Sequence, residues 1–243
     1  MRSPSPALLF TLLLSLTAQA QADDSRPFGP GERLDYALSY GPFSVPGTGQ
    51  LKVEGPYLRH NHDAVLLSFD IEATIAGQRV SHHARSWLST SRFASLAYEM
   101  AEQSPLGRGA RRWEWPGVPA PAGSALPLDE LSFIYLLRTL SLPEDGTLRL
   151  DRHYDPARNP VRVRVLKREV MVLSGLAFPT VLVEMRVRDP QRFPATGGEG
   201  VLRISFTDDA ARTPVRLDIP SPMGPDLVLT LRSPPSTLAR KGP

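Results

Sequence analysis

The sequence contains no cysteine among its 243 residues. This absence excludes disulfide bonds, a thiol nucleophile, and zinc or iron–sulfur sites built on thiolates. It also excludes a lipid anchor attached to a cysteine of this chain. Hydrophobic residues make up 41% and charged residues 22%, which is the composition of a globular protein and not of a disordered one.

Recognisable catalytic and nucleotide-binding motifs are missing as well. The chain has no Gly-x-Ser-x-Gly elbow, no phosphate-binding loop and no dinucleotide fingerprint. After residue 22, no stretch approaches the roughly eighteen apolar residues of a membrane-spanning helix. We therefore expect a protein with no cofactor and no transmembrane segment, and more readily a binding protein than an enzyme.

Residues 1–22 have the pattern of a secretory signal peptide. Arg2 is the one charged residue of this segment, an apolar stretch follows at 7–16, and two overlapping Ala-Gln-Ala triplets offer cleavage sites. We predict that this segment is removed and that residues 23–243 form a single domain in the periplasm, not a lipoprotein. Loss of Arg2 lowers the net charge from +3 to +2, and we expect no nucleic-acid partner there.

Several segments alternate apolar and polar residues with a period of two, which is typical of strands with one buried face. In the clearest one, at 64–75, Val65 and Leu67 share one face, whereas Ser68 and Asp70 share the other. Further strands are predicted at 33–40, 48–54, 79–89, 92–102, 109–115, 147–153, 161–165, 181–188, 201–206, 215–219 and 227–231. Such alternation predicts antiparallel pairing, because buried parallel strands have continuous apolar runs.

One segment, at 128–142, breaks this pattern and predicts a helix. Asp129 suits its N-cap, Pro143 ends it, and its side chains are mostly apolar. A helix this apolar is usually buried on several sides. Because about a dozen strands rarely form one flat sheet, we predict a mainly β fold with a large curved antiparallel sheet, a half-barrel or open barrel, and one apolar helix. A two-sheet β-sandwich is the alternative.

The candidates for a metal site are His60, His62 and Asp63. Two histidines separated by one residue point to the same side of a strand, and Asp63 would add an oxygen ligand. The favoured interpretation is a polar turn between two strands, since Asn61 and Asp63 suit turns. We therefore predict no metal site.

Arg138 lies on the apolar helix, where an unpaired charge would be costly. We expect a carboxylate partner, and Glu32, Asp208 and Asp209 are the candidates, because arginine favours bidentate pairs. A structural clamp is the favoured interpretation, and a contact with an anionic ligand is the alternative. For the adjacent pair Asp208 and Asp209, we favour a bend in which aspartate caps backbone N–H groups.

Arg111, Trp113 and Trp115 share one face of the predicted strand at 109–115. A basic and aromatic cluster of this kind could stack on sugar rings or lie at lipid head groups. The favoured interpretation is a strand whose tryptophans reach the core. No catalytic residue is assigned.

Four places in the sequence resemble DUF3108, a family of exported bacterial proteins of unknown function. They are FGPGERLDY at 28–36 with SYG at 39–41, DELS at 129–132 with YLLRTL at 135–140, VRVRVLKRE at 161–169 with Ser174, Gly175 and Phe178, and TDDAARTPVR at 207–216. The resemblance covers nearly all of 23–243 and implies an exported, β-rich protein, without implying an activity. Arg212 keeps the second arginine that often follows the family's Asp-Asp-Ala, whereas Ala211 replaces the first.

The predicted architecture also resembles the curved-sheet lipoprotein carriers of the periplasm, in which a bent sheet wraps an apolar ligand. The favoured hypothesis is therefore a non-enzymatic binding or carrier protein for an apolar or amphiphilic component of the cell envelope. An envelope assembly factor that binds another protein through edge strands is the alternative. A hydrolase of envelope polymers is the third hypothesis, and it requires two carboxylates about 5–9 Å apart across an open cleft.

Overall fold

The computed structural model describes residues 26–104, 107–115, 126–144, 146–190, 193, 197–220 and 224–233. The predicted signal peptide at 1–22 lies outside the described residues. Within these ranges the chain is mainly β, with one α-helix, α1 (Glu130–Thr139), and one turn of 3-10 helix at Pro156–Arg158.

Thirteen strands lie in the described part of the chain. In chain order they are β1 (Arg33–Tyr40), β2 (Phe43–Ser44), β3 (Gly47–Arg59), β4 (His62–Ile75), β5 (Gln78–Ser89), β6 (Ala94–Ser104), β7 (Gly107–Glu114), β8 (Thr147–Leu150), β9 (Val161–Leu173), β10 (Leu176–Arg188), β11 (Glu199–Thr207), β12 (Pro214–Ile219) and β13 (Leu227–Leu231).

These strands form one antiparallel sheet in the order β7-β6-β5-β4-β3-β1-β13-β12-β11-β10-β9-β8, with β2 paired to β1. The pairing of β1 with β13 joins the two halves of the sheet. The described residues contain no pairing between the edge strands β7 and β8, so the sheet is open. The predicted mainly β class is therefore confirmed in its first form, a large open antiparallel sheet with a helix, and not as a two-sheet sandwich.

The alternation seen in the sequence gives the sheet a buried inner face. On β4, Val65, Leu67 and Phe69 are buried, whereas Asp70 on the opposite face is partly exposed. Buried side chains from both halves of the sheet and from α1 form one continuous core. The sheet curls around the helix. The curl is shown by the hydrogen bond from Arg111 on β7 to Asp189, which directly follows β10.

The helix is shorter than the predicted 128–142 and runs from Glu130 to Thr139. Asp129 is its N-cap, and the carboxylate accepts a hydrogen bond from the backbone N–H of Ser132 at 2.9 Å. At the other end, the Arg212 side chain donates to the carbonyl oxygen of Leu140 at 2.6 Å. This long-range bond satisfies a carbonyl group that a helix end otherwise leaves without a partner.

The start of α1 is fastened to the sheet by a buried polar network around Asp129. The hydroxyl groups of Ser86 on β5 and Ser132 lie 2.6 and 3.1 Å from Oδ2 of Asp129. Ser95 on β6 accepts a hydrogen bond from the Asp129 backbone N–H at 2.9 Å. Burial raises the pKa of the Asp129 carboxyl, although the hydrogen bonds from Ser86 and Ser132 act against that shift.

We expect Asp129→Ala to lower the free energy of unfolding by about 2 kcal/mol. About half of this loss comes from the missing helix cap, and the rest from the buried hydroxyl groups of Ser86 and Ser132, which lose the carboxylate oxygen that they share. Asp155→Ala is the matched control, because Asp155 caps the 3-10 turn at Ala157 from an exposed position. Chemical denaturation of both variants measures the difference, and equal losses would contradict the role of the buried network.

Candidate functional site

A cavity of about 640 Å³ lies between the two halves of the sheet. The inward faces of β4–β7 line one side, those of β10–β13 line the other, and α1 contributes Leu131 and Ile134. Apolar side chains dominate the walls, including Phe69, Ile71, Met100, Met185, Leu202 and Leu217. This volume lies within the roughly 300–1,000 Å³ of small-molecule binding sites, which are also mostly apolar.

Polar residues line the cavity near the turns that connect the strands. Gln103 and Ser104 lie at the end of β6. Oε2 of the neighbouring Glu102 lies 3.8 Å from Nδ1 of His82 on β5. His82 also contacts the core, because its ring packs against the edge of Phe69 with centroids 5.6 Å apart. The cavity therefore has an apolar interior and a more polar end.

Four charged side chains line the cavity where the edge strand β7 approaches the end of β10. They are Arg111 on β7, Glu130 at the start of α1, Arg158 in the 3-10 turn and Asp189 after β10, and we call them the charge quartet. Nη2 of Arg111 lies 3.0 Å from Oδ2 of Asp189. Arg158 contacts both carboxylates, Glu130 through Nη1 and Asp189 through Nη2. Two positive and two negative charges thus compensate each other.

The charge quartet is partly shielded from solvent. The side chains of Arg158 and Asp189 are only 9% and 8% exposed, whereas those of Arg111 and Glu130 are 30% and 27% exposed. Burial disfavours the charged Glu130, but interaction with the His153 ring and the charge of Arg158 outweigh it and lower the pKa of Glu130 to about 2. Nε2 of the buried His153 lies 3.6 Å from Oε1 of Glu130.

The predicted basic and aromatic cluster is divided among different partners. Arg111, Trp113 and Trp115 are all partly buried, and Arg111 belongs to the charge quartet. The Trp113 ring packs on Tyr154 with centroids 5.2 Å apart, and Trp115 packs on His62 at 5.4 Å. The three side chains therefore do not make one exposed surface.

The metal-site candidates lie at the hairpin between β3 and β4. His60 and Asn61 occupy its turn with positive φ angles of 49° and 60°. Nε2 of His60 lies 3.2 Å from Oε1 of Glu114, while His62 and Asp63 begin β4. In the described part of the chain, no group of three histidine or carboxylate side chains is placed to hold a metal ion.

The structure brings Arg138 together with Glu32 and not with Asp208 or Asp209. Its Nη1 and Nη2 atoms donate to Oε1 and Oε2 of Glu32 at 2.6 and 2.9 Å. The same guanidinium donates to the carbonyl oxygens of Pro27 and Ala211 at 2.7 and 3.2 Å. The Arg138 side chain is only 1% exposed, and it is not part of the cavity wall.

Asp208 and Asp209 shape the connection between β11 and β12. Asp208 forms an ion pair with Arg168 on β9. Oδ1 of Asp209 accepts hydrogen bonds from the backbone N–H groups of Ala211 and Arg212, both at 3.0 Å. These carboxylates and the Arg212 side chain bound to Leu140 do not line the cavity.

Three members of the charge quartet are not identified by sequence reasoning. Glu130, Arg158 and Asp189 come from three separate segments, with Arg158 lying 28 and 31 residues from the other two. Their sequence neighbourhoods show no common motif. Glu130 alone carries a local signal, because an acidic residue is favoured in the first turn of a helix.

Residues 121–232 match one protein-family model. The family is DUF3108, described as a protein of unknown function. The resemblance in the sequence is confirmed for this segment, which contains three of the four similar places and also Glu130, Arg158 and Asp189. The first similar place, at 28–41, lies before the matched DUF3108 segment, so the match covers less of the chain than the resemblance implied.

Two further comparisons add little about function. The sequence matches no curated protein. A crystal structure of a beta-barrel-like protein of the domain of unknown function DUF1849 from Brucella abortus is similar with a TM-score of 0.44 and 8% identity, over 82% of this chain and 94% of that chain.

Within the described residues, no helix is long and apolar enough to cross a membrane.

Proposed function

We propose that the protein is a non-enzymatic binding or carrier protein for an apolar or amphiphilic molecule of the cell envelope. The observation that supports this function is the cavity of about 640 Å³ with its mostly apolar walls inside the curled sheet. The signal-peptide pattern at 1–22 supports an exported, periplasmic location.

The pairing of charges in the cavity wall suggests how a ligand would be oriented. Arg111, Glu130, Arg158 and Asp189 already compensate each other. A charged group placed deep in the cavity would lose its hydration without finding an unpaired opposite charge. We therefore propose that the apolar part of the ligand fills the interior and that its polar part faces the end lined by Gln103.

An envelope assembly factor remains the second candidate. The observation that favours it is an apolar patch on one face of the hairpin of β9 and β10, where Val170 and Val172 are 67% and 64% exposed and lie opposite the exposed Pro179 and Ala177. Clustered apolar side chains of this kind are typical of protein-binding surfaces.

A hydrolase lacks comparable support, because Glu32 and Asp208 are ion-paired away from the cavity wall. The carboxylates Glu130 and Asp189 do line the cavity, but both are paired with Arg158.

Extraction of the purified protein tests the carrier function most directly. The full chain should be expressed with its own signal segment, purified from the exported fraction without detergent, and extracted with organic solvent for mass spectrometry. We expect one class of apolar or amphiphilic molecule at near-stoichiometric amounts. A protein that is consistently empty and takes up no fluorescent lipid probe would rule the carrier function out.

Filling part of the cavity should weaken this binding without unfolding the protein. We expect Leu202→Trp to weaken the uptake of a fluorescent lipid probe by about tenfold or more, because Leu202 lines the cavity and the larger ring occupies ligand space. Leu66→Trp is the matched control, since Leu66 is also partly buried but lies on the outer face of β4. Equal binding by both variants would place the ligand elsewhere.

A further inference from the structure

The outer face of the sheet carries arginines directly opposite one another. Arg149 on β8 pairs in register with Arg162 on β9, and Arg162 pairs in register with Arg186 on β10. Neighbouring strands are only about 4.8 Å apart, and like charges at opposed positions destabilise a sheet. Carboxylates of the chain offset part of this repulsion, because Arg149 pairs with Asp151, Arg162 with Glu199 and Arg186 with Glu184.

A shallow pocket of about 270 Å³ lies at this row, on the face opposite the apolar cavity. Its lining consists of Thr147, Arg162, Arg164, Glu184, Arg186 and Glu199. Three positive charges stand against two negative ones, which leaves an excess of one positive charge. We call this site the arginine pocket.

The two carboxylates of the arginine pocket, Glu184 and Glu199, form ion pairs with its guanidinium groups and hold them in position. Glu184 is only 3% exposed, and its Oε1 accepts from Arg186 at 2.8 Å and from Arg164 at 3.3 Å. Its Oε2 accepts from Arg203 at 3.2 Å. Burial opposes the charge of Glu184, but the hydrogen bonds from Arg186 and Arg203 prevail and lower its pKa.

The arginines keep unused hydrogen-bond donors on the outer side. Their side chains are 47%, 52% and 41% exposed at Arg162, Arg164 and Arg186. A guanidinium group has five N–H donors, and each arginine uses one of them in a hydrogen bond to Glu184 or Glu199. Nη1 of Arg186 also lies 3.5 Å from Oε2 of Glu199. The remaining donors surround one pocket, because Glu184 and Glu199 hold the three guanidinium groups there.

We propose that the arginine pocket binds a phosphate group or a similar oxyanion, carried by a soluble molecule or by a lipid. Arginine forms bidentate, charge-assisted hydrogen bonds with phosphate oxygens, and the Thr147 hydroxyl adds a neutral donor. The bound anion offsets the repulsion between Arg162 and its neighbours. This site is independent of the apolar cavity and of the proposed carrier function.

Binding of phosphate to the full chain and to variants tests the proposal. Inorganic phosphate is titrated by calorimetry, and vesicles of phosphatidylcholine with or without phosphatidic acid are sedimented with the protein at low salt. We expect Arg162→Gln to weaken binding about tenfold or more, as the loss of a charge-assisted hydrogen bond requires. Arg162 is the best position because it does not contact the buried Glu184, and Arg164→Gln is the second variant.

The matched control is Arg112→Gln on the outer face of β7, where the side chain is 69% exposed. It removes the same charge and should leave binding within about twofold, because binding at the arginine pocket depends on local donors. Binding of phosphate without vesicle binding assigns a soluble anion, and vesicle binding that requires phosphatidic acid assigns a lipid. Absence of both, or an equal loss in Arg112→Gln, would overturn the proposal.

Discussion

Replacing Arg138 with methionine is expected to lower the free energy of unfolding by about 3–5 kcal/mol. Methionine keeps much of the side-chain volume, but it removes both hydrogen bonds to Glu32, which is only 18% exposed. The carbonyl oxygens of Pro27 and Ala211 lose their donor at the same time. Urea denaturation measures the loss as a decrease in the transition midpoint at an unchanged slope.

Arg79→Met is the matched control for this prediction. Arg79 forms an ion pair with Glu72 at 3.0 Å, but its side chain is 69% exposed. Water and salt weaken such a pair, so the expected loss is at most about 1 kcal/mol. Adding Glu32→Gln to Arg138→Met should recover part of the lost free energy of unfolding, because it removes the Glu32 charge that the first substitution leaves without a partner.

Two results would contradict the clamp interpretation of Arg138. A loss as small as that of Arg79→Met would show that the pair with Glu32 contributes little to stability. Unchanged stability together with lost ligand binding would favour the alternative, a contact between Arg138 and an anionic ligand. The position of Arg138 outside the cavity wall makes us expect neither result.

The fold could be predicted from the sequence wherever strands alternate cleanly. The strand at 64–75 is β4, because every residue that this strand itself places on the inner face is apolar, as Val65, Leu67 and Phe69 are. The long hairpin of β9 and β10 is extended well beyond the predicted 161–165 and 181–188. A register shift between Leu182 and Val183 changes which residues face inward there, and this change hides the period of two.

The charge quartet could not be predicted from the sequence, because its members are brought together by long-range contacts and not by a local pattern. The inward position of Arg111 follows from alternation along β7, but its partners Glu130 and Asp189 lie 19 and 78 residues away. Their proximity results from the curl of the sheet, which brings an edge strand toward the end of β10. A hydrophobic pattern fixes which face of a strand is buried, but not which distant charges meet.

Glu130→Gln is expected to reduce stability at neutral pH and to have almost no effect near pH 2. The pKa of Glu130 is lowered in the folded protein from its ordinary value of 4.5 to about 2. A lowered folded-state pKa means that the ionised group stabilises the fold at pH values above about 4.5. This contribution disappears as the pH falls toward 2, where the folded protein also binds the proton.

The expected difference between the original protein and Glu130→Gln is about 3 kcal/mol at pH 7, from 1.36 kcal/mol for each unit by which the pKa is lowered. Urea denaturation at several pH values between 7 and 2.5 should show this difference shrinking with acidity, whereas titration of carboxylates that lie outside the charge quartet cancels in the comparison. Glu54→Gln on the exposed outer face of β3 is the control, with an expected effect within about 0.5 kcal/mol. A difference that stays constant with pH would show that Glu130 acts through packing and not through its charge beside Arg158 and His153.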